Sequence, residues 1–251
     1  MKKYDKLLNL ILPVVTIVFI LAVWAVSAIV TDNQYILPSI GQTLKEFLAL
    51  FIDKTFYLAL LFTLIRSIVA FIFSFLIASI LAFLSVKSKK GERLIIPLVS
   101  IIRSLPTLAI VLLLLIWTNN QVAPVMVTSL VVMPTAYTGM KNSLDSVDKT
   151  SVEAGMVDGA SKRSSFFKIE LPQIAPAMYS VIGSGLALNL KLMVAAEVMS
   201  ATVKSLGTLL NISNYNGEIA KMLALVLVVL ILGLIIEFAF NSISKKTGKW
   251  K

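Results

Sequence analysis

The 251-residue chain contains neither cysteine nor histidine. Those two absences remove disulfide frameworks, thiolate nucleophiles, imidazole bases and the usual zinc ligand sets together. Charge is also scarce, at 14% of residues against 58% hydrophobic, and the 13 acidic residues are outnumbered by 23 Lys and Arg. With a mean hydropathy of +0.91, the apolar surplus exceeds what one soluble core of this size buries, which places the chain in a bilayer. No Gly-rich phosphate loop ending in Lys-Ser or Lys-Thr occurs, so this chain carries no motif for hydrolysing ATP. There is no internal repeat, low-complexity tract or flexible linker, and a single membrane domain over residues 1–251 is expected.

A spanning helix takes about 20 mostly apolar residues. Six segments meet or approach that length, at Leu10 to Val30, Phe56 to Val86, Leu94 to Trp117, Val122 to Met140, Ala177 to Val203 and Ile219 to Ile243. Pro97, Pro106, Pro124 and Pro134 predict kinks in the third and fourth. The first is too long for the apolar core of a secretory signal and is read as a retained helix. If the N-terminus is cytoplasmic, the inner segments carry Lys2, Lys3, Lys6, Lys87, Lys89, Lys90, Arg93, Lys141, Lys149, Lys162, Arg163, Lys168, Lys245, Lys246, Lys249 and Lys251. The outer side carries Lys45, Lys54 and Lys204, with Lys221 at the edge of the last span, and this bias predicts both termini inside. The net charge of +10 is thus a topology signal, and its dispersal argues against a nucleic-acid partner.

One polar loop stands out between the apolar segments, the run EAGMVDGASKRSSFFKIELP from Glu153 to Pro172. Thr150 and Glu153 have the spacing of a capping box that starts a helix. Gly155 and Gly159 share a face with Val152 and Met156, a small surface open to close approach, while Glu153 and Asp158 point elsewhere. Gly159 breaks that helix, Ser161 caps a second short one, and Pro172 ends it. The run resembles the EAA motif of the membrane permease subunits of ATP-binding cassette importers: Glu-Ala-Ala, three residues, Gly, nine residues, Ile, any residue, Leu-Pro. Glu153, Ala154, Gly159, Ile169, Leu171 and Pro172 fall at the required spacings, with Gly155 where the family usually has Ala. The resemblance implies an all-α integral membrane protein of six transmembrane helices with type I importer permease architecture. It further implies that a loop at about 141–176, including Asp158, engages cytoplasmic ATPase subunits. Cofactors are implied only on that partner, as ATP and Mg. An extracytoplasmic solute-binding protein and a second permease copy, identical or homologous, complete the implied assembly in a prokaryotic cell membrane.

Intramembrane polar residues are the candidates for a solute path, because each charge costs roughly 2.5–3.5 kcal/mol at a helix centre. Arg66, Arg103 and Glu237 either snorkel or pair with one another, or they meet substrate. Lys191 and Glu197, six positions apart, do not share a helix face. Gly185, Asn189, Met193, Ala196 and Ser200 form a small or polar stripe with two readings, close helix packing or the wall of an aqueous route. The segment LKLMVAAEVMSA from Leu190 to Ala201 is similar to the fifth helix of the nitrate, sulfonate and taurine branch. That likeness implies a path along Gly185, Asn189, Met193, Ala196 and Glu197, with Arg103 added from its own span, and Arg103 with Lys191 would suit an anionic or zwitterionic solute. Members of the branch also carry vitamin precursors, so the substrate stays open. An intramembrane enzyme would need convergent acids, bases or metal ligands that the sequence does not show, and a passive channel would not require the typed loop.

Overall fold

The computed structural model describes residues 2–248, with side chains from residue 11 onward. Among the described residues the chain is helical and contains no strand. The helices are α1 (Lys2–Thr31), α2 (Ile40–Leu50), α3 (Lys54–Lys87), α4 (Lys89–Ser104), α5 (Thr107–Trp117) and α6 (Ala123–Asp145). They continue as α7 (Lys149–Val157), α8 (Lys162–Ser165), α9 (Leu171–Ser200), α10 (Leu206–Tyr215) and α11 (Ile219–Thr247). Five are long and apolar enough to cross a bilayer, and the pair α4 and α5 makes a sixth if it counts as one broken span.

The third expected span, Leu94 to Trp117, is not a gently kinked helix: α4 and α5 meet at 90°. Pro106 lacks an N–H and pushes the residue before it out of the helical region, and Leu105 accordingly sits at φ −68°, ψ 130°. The other prolines act more mildly. Pro97 and Pro134 lie inside α4 and α6, and Pro124 occupies the first turn of α6, where a missing donor costs nothing.

The chain divides into two compact units, residues 1–57 with 209–228 and residues 58–208 with 229–251. In the first, the apolar stretch of α1 is unburied, and Trp24 Nε1 donates to the Pro38 carbonyl at 3.1 Å, fixing the turn into α2. Ser39 and Gln42 cap α2 reciprocally. In the second unit, α3 presents small residues at four-residue spacing, Ala70, Ser74, Ala78 and Ala82, all fully buried. Small side chains let helix backbones approach closely where no hydrophobic effect drives association. Ala78 and Ala82 join Val99, Met133, Ala136, Tyr137 and Met140 in one core cluster, and the Tyr137 hydroxyl lies 2.8 Å from Ser85 Oγ. On the other side of α3, Ile65, Ile68, Ile72, Phe73, Ile77 and Ile80 are exposed, the surface a bilayer solvates.

Helices α6 and α9 are in extensive contact. Gly139 makes it possible, because a Cβ there would fall 2.7 Å from a Val181 methyl. A similar approach seats α9 on α11, where a Cβ on Gly183 would lie 2.5 Å from Phe240 Cβ. Ser244 Oγ donates to the Pro176 carbonyl at 2.6 Å near the same end.

Candidate functional site

The polar loop folds into a short protruding helix returned firmly to α9. Asp148, rather than the expected Thr150 and Glu153 pair, starts α7: its carboxylate accepts from the Thr150 N–H at 3.0 Å and from the Ser151 hydroxyl at 2.5 Å. Asp is as good a cap as Ser or Thr, and its earlier position wins because the Asp148 backbone is extended while Thr150 is already helical. The Ser151 hydroxyl, followed by the Thr150 N–H, holds the Asp148 carboxyl below the ordinary carboxylate range. Glu153 is left exposed, free of a capping duty, and Ala154 and Asp158 are exposed beside it.

At its far end α7 closes in a Schellman motif. Gly159 at φ +85° donates to the Met156 carbonyl at 3.1 Å, and Ala160 donates to the Gly155 carbonyl at 3.0 Å. No atom lies within 4 Å of where a Gly159 Cβ would sit, so the glycine is required by its backbone angle and not by crowding within this chain. Gly155 has the opposite reason: a Cβ there would run into Ile169 Cδ1, so the glycine standing at the motif's second Ala position packs directly on the motif's isoleucine. Ser161 caps α8 as expected, accepting from the Ser164 N–H at 3.2 Å.

Pro172 does not end that second helix. The chain runs from α8 through a π-helical turn, Phe166–Glu170, into α9, and Pro172 lies in the first turn of α9, where it removes no needed donor. Leu171 is half-buried beside it. The Asp148 N–H donates to Gln173 Oε1 at 2.9 Å, tying the start of α7 to the start of α9. Lys141 in turn bridges Glu92 at 3.0 Å and Asp145 at 2.7 Å, fixing the end of α6 to α4. The outer side of α7 is apolar and open, with Val157 87% exposed and Met156 42%. A groove of about 560 Å³ runs beside it, lined by Phe83, Val86, Leu144, Val152, Glu153 and Phe166 among others.

The stripe on α9 lies inside the protein. Gly185 faces Phe71, with a would-be Cβ 2.8 Å from its ring, and Asn189 Nδ2 donates to the Ser67 carbonyl and hydroxyl, both at 2.7 Å. Met193, Ala196, Glu197 and Ser200 are buried as well. Gly185, Asn189 and Glu197 thus hold α9 against α3, and Arg103 is the one exposed member of the candidate path.

Glu197 organises a site the sequence reading missed. Arg66 pairs with it at 3.1 Å rather than with Glu237. Thr63 Oγ1 donates to the same carboxylate at 2.8 Å while accepting the Leu206 N–H at 3.0 Å, and the Gly207 N–H adds a contact at 3.4 Å. Arg66 reaches onward to Gln121 Oε1 at 2.6 Å and to the Val203 carbonyl at 3.2 Å. The turn between α9 and α10, with Ala201 and Lys204 both at positive φ, is thereby fastened to α3. A lone carboxylate in an apolar span signals that a partner exists, but a partner 131 positions away has no local sequence signature.

Apolar helices of spanning length joined by a capped, exposed polar loop define a multi-pass helical membrane protein. Residues 74–249 match the family described as "Binding-protein-dependent transport system inner membrane component", and the chain belongs to it. It is therefore a permease component of an importer, located in the inner membrane. Among curated proteins it is similar to the taurine transport system permease protein TauC of Escherichia coli (strain K12), 22% identical over 233 residues, 90% of this chain and 84% of that protein. Among solved structures, the inward-facing MetNI methionine ABC transporter matches with a TM-score of 0.67 at 20% identity, covering 78% of this chain and 98% of that one. A bacterial ABC transporter importing the acidic polysaccharide alginate matches at 0.66 and 19% identity, over 97% and 96%. The fold is that of type I ABC importer permeases.

Proposed function

We propose that two copies of this chain, or one copy and a homologue, form the membrane path for a small solute, and that α7 is the element through which cytoplasmic ATPase subunits drive it. The observation that carries this reading is the construction of the loop: an apolar, exposed helix face at Met156 and Val157, closed by Gly159 at positive φ and tied through Asp148 and Gln173 to the first turn of α9. Glu153, Ala154, Gly155, Asp158, Gly159, Ile169, Leu171 and Pro172 make up that docking unit. Force applied to α7 passes to α9 through a hydrogen bond and the packed Gly155 and Ile169, so α9 swings as a rigid helix. Glu197 and its partners set the far end of that helix. ATP and Mg belong to the partner subunit.

Both termini and α7 face the cytoplasm, following the Lys/Arg bias. An extracytoplasmic binding protein delivers the solute, and lipid surrounds the exposed faces of α1 and α3. The solute is nitrate-, sulfonate- or taurine-like, or a vitamin precursor; the likeness to TauC favours the sulfonate class. Of the path residues, Arg103 contacts solute, while Gly185, Asn189, Met193, Ala196 and Glu197 form the inner wall of α9 that positions the route. Because the chain lacks cysteine, Val157→Cys introduces a single thiol. A short thiol-to-amine cross-linker should join it to the ATPase subunit in membranes. Efficient cross-linking from the opposite aqueous side, with none to an ATPase, would overturn the reading.

A further inference from the structure

Arg103 stands at the elbow where α4 turns by 90° into α5. Its Nη2 donates to Thr138 Oγ1 at 2.7 Å and to the Pro134 carbonyl at 3.2 Å. Pro134 is at the middle of the 23-residue α6, so at 1.5 Å per residue the guanidinium lies roughly 16 Å from either end of that span. This is the depth at which an arginine facing lipid is most costly and at which snorkelling reaches least far. Yet Arg103 is exposed in the single copy, and its Nη1 and Nε have no partner among the described residues. The contrast with Arg66 is direct, since Arg66 spends its donors on Glu197, Gln121 and backbone carbonyls.

Small hydroxyls lie at the same depth. Ser104 and Thr135 are exposed beside Arg103 in the chain and one turn from Thr138. Helices α6 and α9 run antiparallel, Asp148 meeting Gln173 and Gly139 meeting Val181, which brings exposed Ser184 level with Thr135. Lys191, the other cation considered, lies two turns further along α9 toward Gly233 of α11 and does not belong to this group.

We infer that Arg103, with the hydroxyls of Ser104, Thr135 and Ser184 around it, is a mid-membrane binding site for the oxyanion group of the transported solute, such as a sulfonate or carboxylate. The inference rests on the importer reading and assigns one part of its path. Pinning Nη2 to α6 pre-orients the planar guanidinium and leaves Nη1 and Nε to donate to an oxyanion, a fixed geometry that an ammonium would not offer. A broken span is where a membrane protein tolerates irregular backbone next to a water-filled cavity.

The test uses the complex of permease, ATPase and binding protein in proteoliposomes, with Ser184→Cys and, independently, Thr135→Cys as reporters. An anionic sulfonatoethyl methanethiosulfonate and its cationic trimethylammonium counterpart probe the thiol. The anionic reagent should react at least about ten-fold faster relative to the cationic one than with a free thiol, and Arg103→Gln should remove that preference. Added taurine should slow the reaction with Arg103 present and leave it unchanged in Arg103→Gln. No reaction from water at either reporter, no charge preference, or a preference that survives Arg103→Gln would overturn the site. ATP hydrolysis stimulated by the binding protein, measured in the same liposomes, reports separately on the importer reading.

Discussion

Breaking the Arg66 and Glu197 pair should destabilise the second unit by several kcal/mol, and breaking both ends should cost much less than the sum. Glu197 is fully buried and Arg66 only 13% exposed, so neither charge is well solvated once its partner is gone. Glu197→Leu removes the 3.1 Å ion pair and the 2.8 Å Thr63 bond, and leaves Arg66 with Gln121, two carbonyls and the Phe62 ring but no counter-charge. Removing one member of a buried pair costs about 3–5 kcal/mol. Arg66→Met leaves the carboxylate with Thr63 and a long contact to Gly207, and the same range applies. The double variant leaves no stranded charge, so the two changes should couple by about 2 kcal/mol or more. SDS-induced unfolding in mixed micelles, followed by tryptophan fluorescence, supplies the four free energies of the cycle. Single variants that add to within about 0.5 kcal/mol would refute the claim that this pair acts as a unit.

Other expectations follow from the loop and the topology. Asp148 has its carboxyl held below the ordinary range. Its cap is therefore intact above the unfolded value near 4 and is lost only as pH falls through the lower folded value; the protection factors of the α7 amides, which remove the intrinsic pH dependence of exchange, should be flat from pH 8 to 5 and fall in stronger acid. Gly155→Leu should splay α7 from the π-helical turn, because Ile169 already fills that space, and should lower transport without preventing insertion; unchanged transport would show that this contact is dispensable. Single cysteines at Lys89 and Ser161 should label only from the cytoplasmic side and those at Asp53, Asn119 and Asn214 only from outside, with the reverse pattern inverting the topology. Asn189→Leu should weaken the α3 and α9 contact by about 1–3 kcal/mol, since Ser67 loses its partner at a fully buried position; a change within 0.5 kcal/mol would contradict that role.

The membrane class and most spans were legible because lipid imposes a length and an apolarity that composition reports directly. The polar loop was legible for a different reason. Gly159 and Ser161 answer local demands on backbone angle and capping, which typed spacing records. The short helices α2 and α10 escaped notice because 11 and 10 residues are too few to register as spans. The proline at 106 announced a break but not its 90° angle, which depends on what α4 and α5 pack against. Likewise the stripe from Gly185 to Ser200 showed which side of α9 is small, and only the position of Phe71 and Ser67 showed that α3 covers it within one copy. The start of α7 was misplaced by two residues because Asp148 and Thr150 are both competent caps, and backbone conformation chooses between them.

The central claim, that α7 transmits ATPase motion to the membrane helices, is tested most directly at Gly159. Its φ of +85° disfavours any residue with a Cβ, by roughly 1–2 kcal/mol, and no atom of this chain is near enough to be displaced. Gly159→Leu therefore perturbs the turn and the surface offered to a partner while leaving the spanning helices untouched. In a purified and reconstituted complex it should insert at near-normal levels yet abolish ATP hydrolysis stimulated by the binding protein, together with transport, and Glu153→Ala should reduce both by a smaller factor. Full ATPase association and full transport in Gly159→Leu would contradict the account.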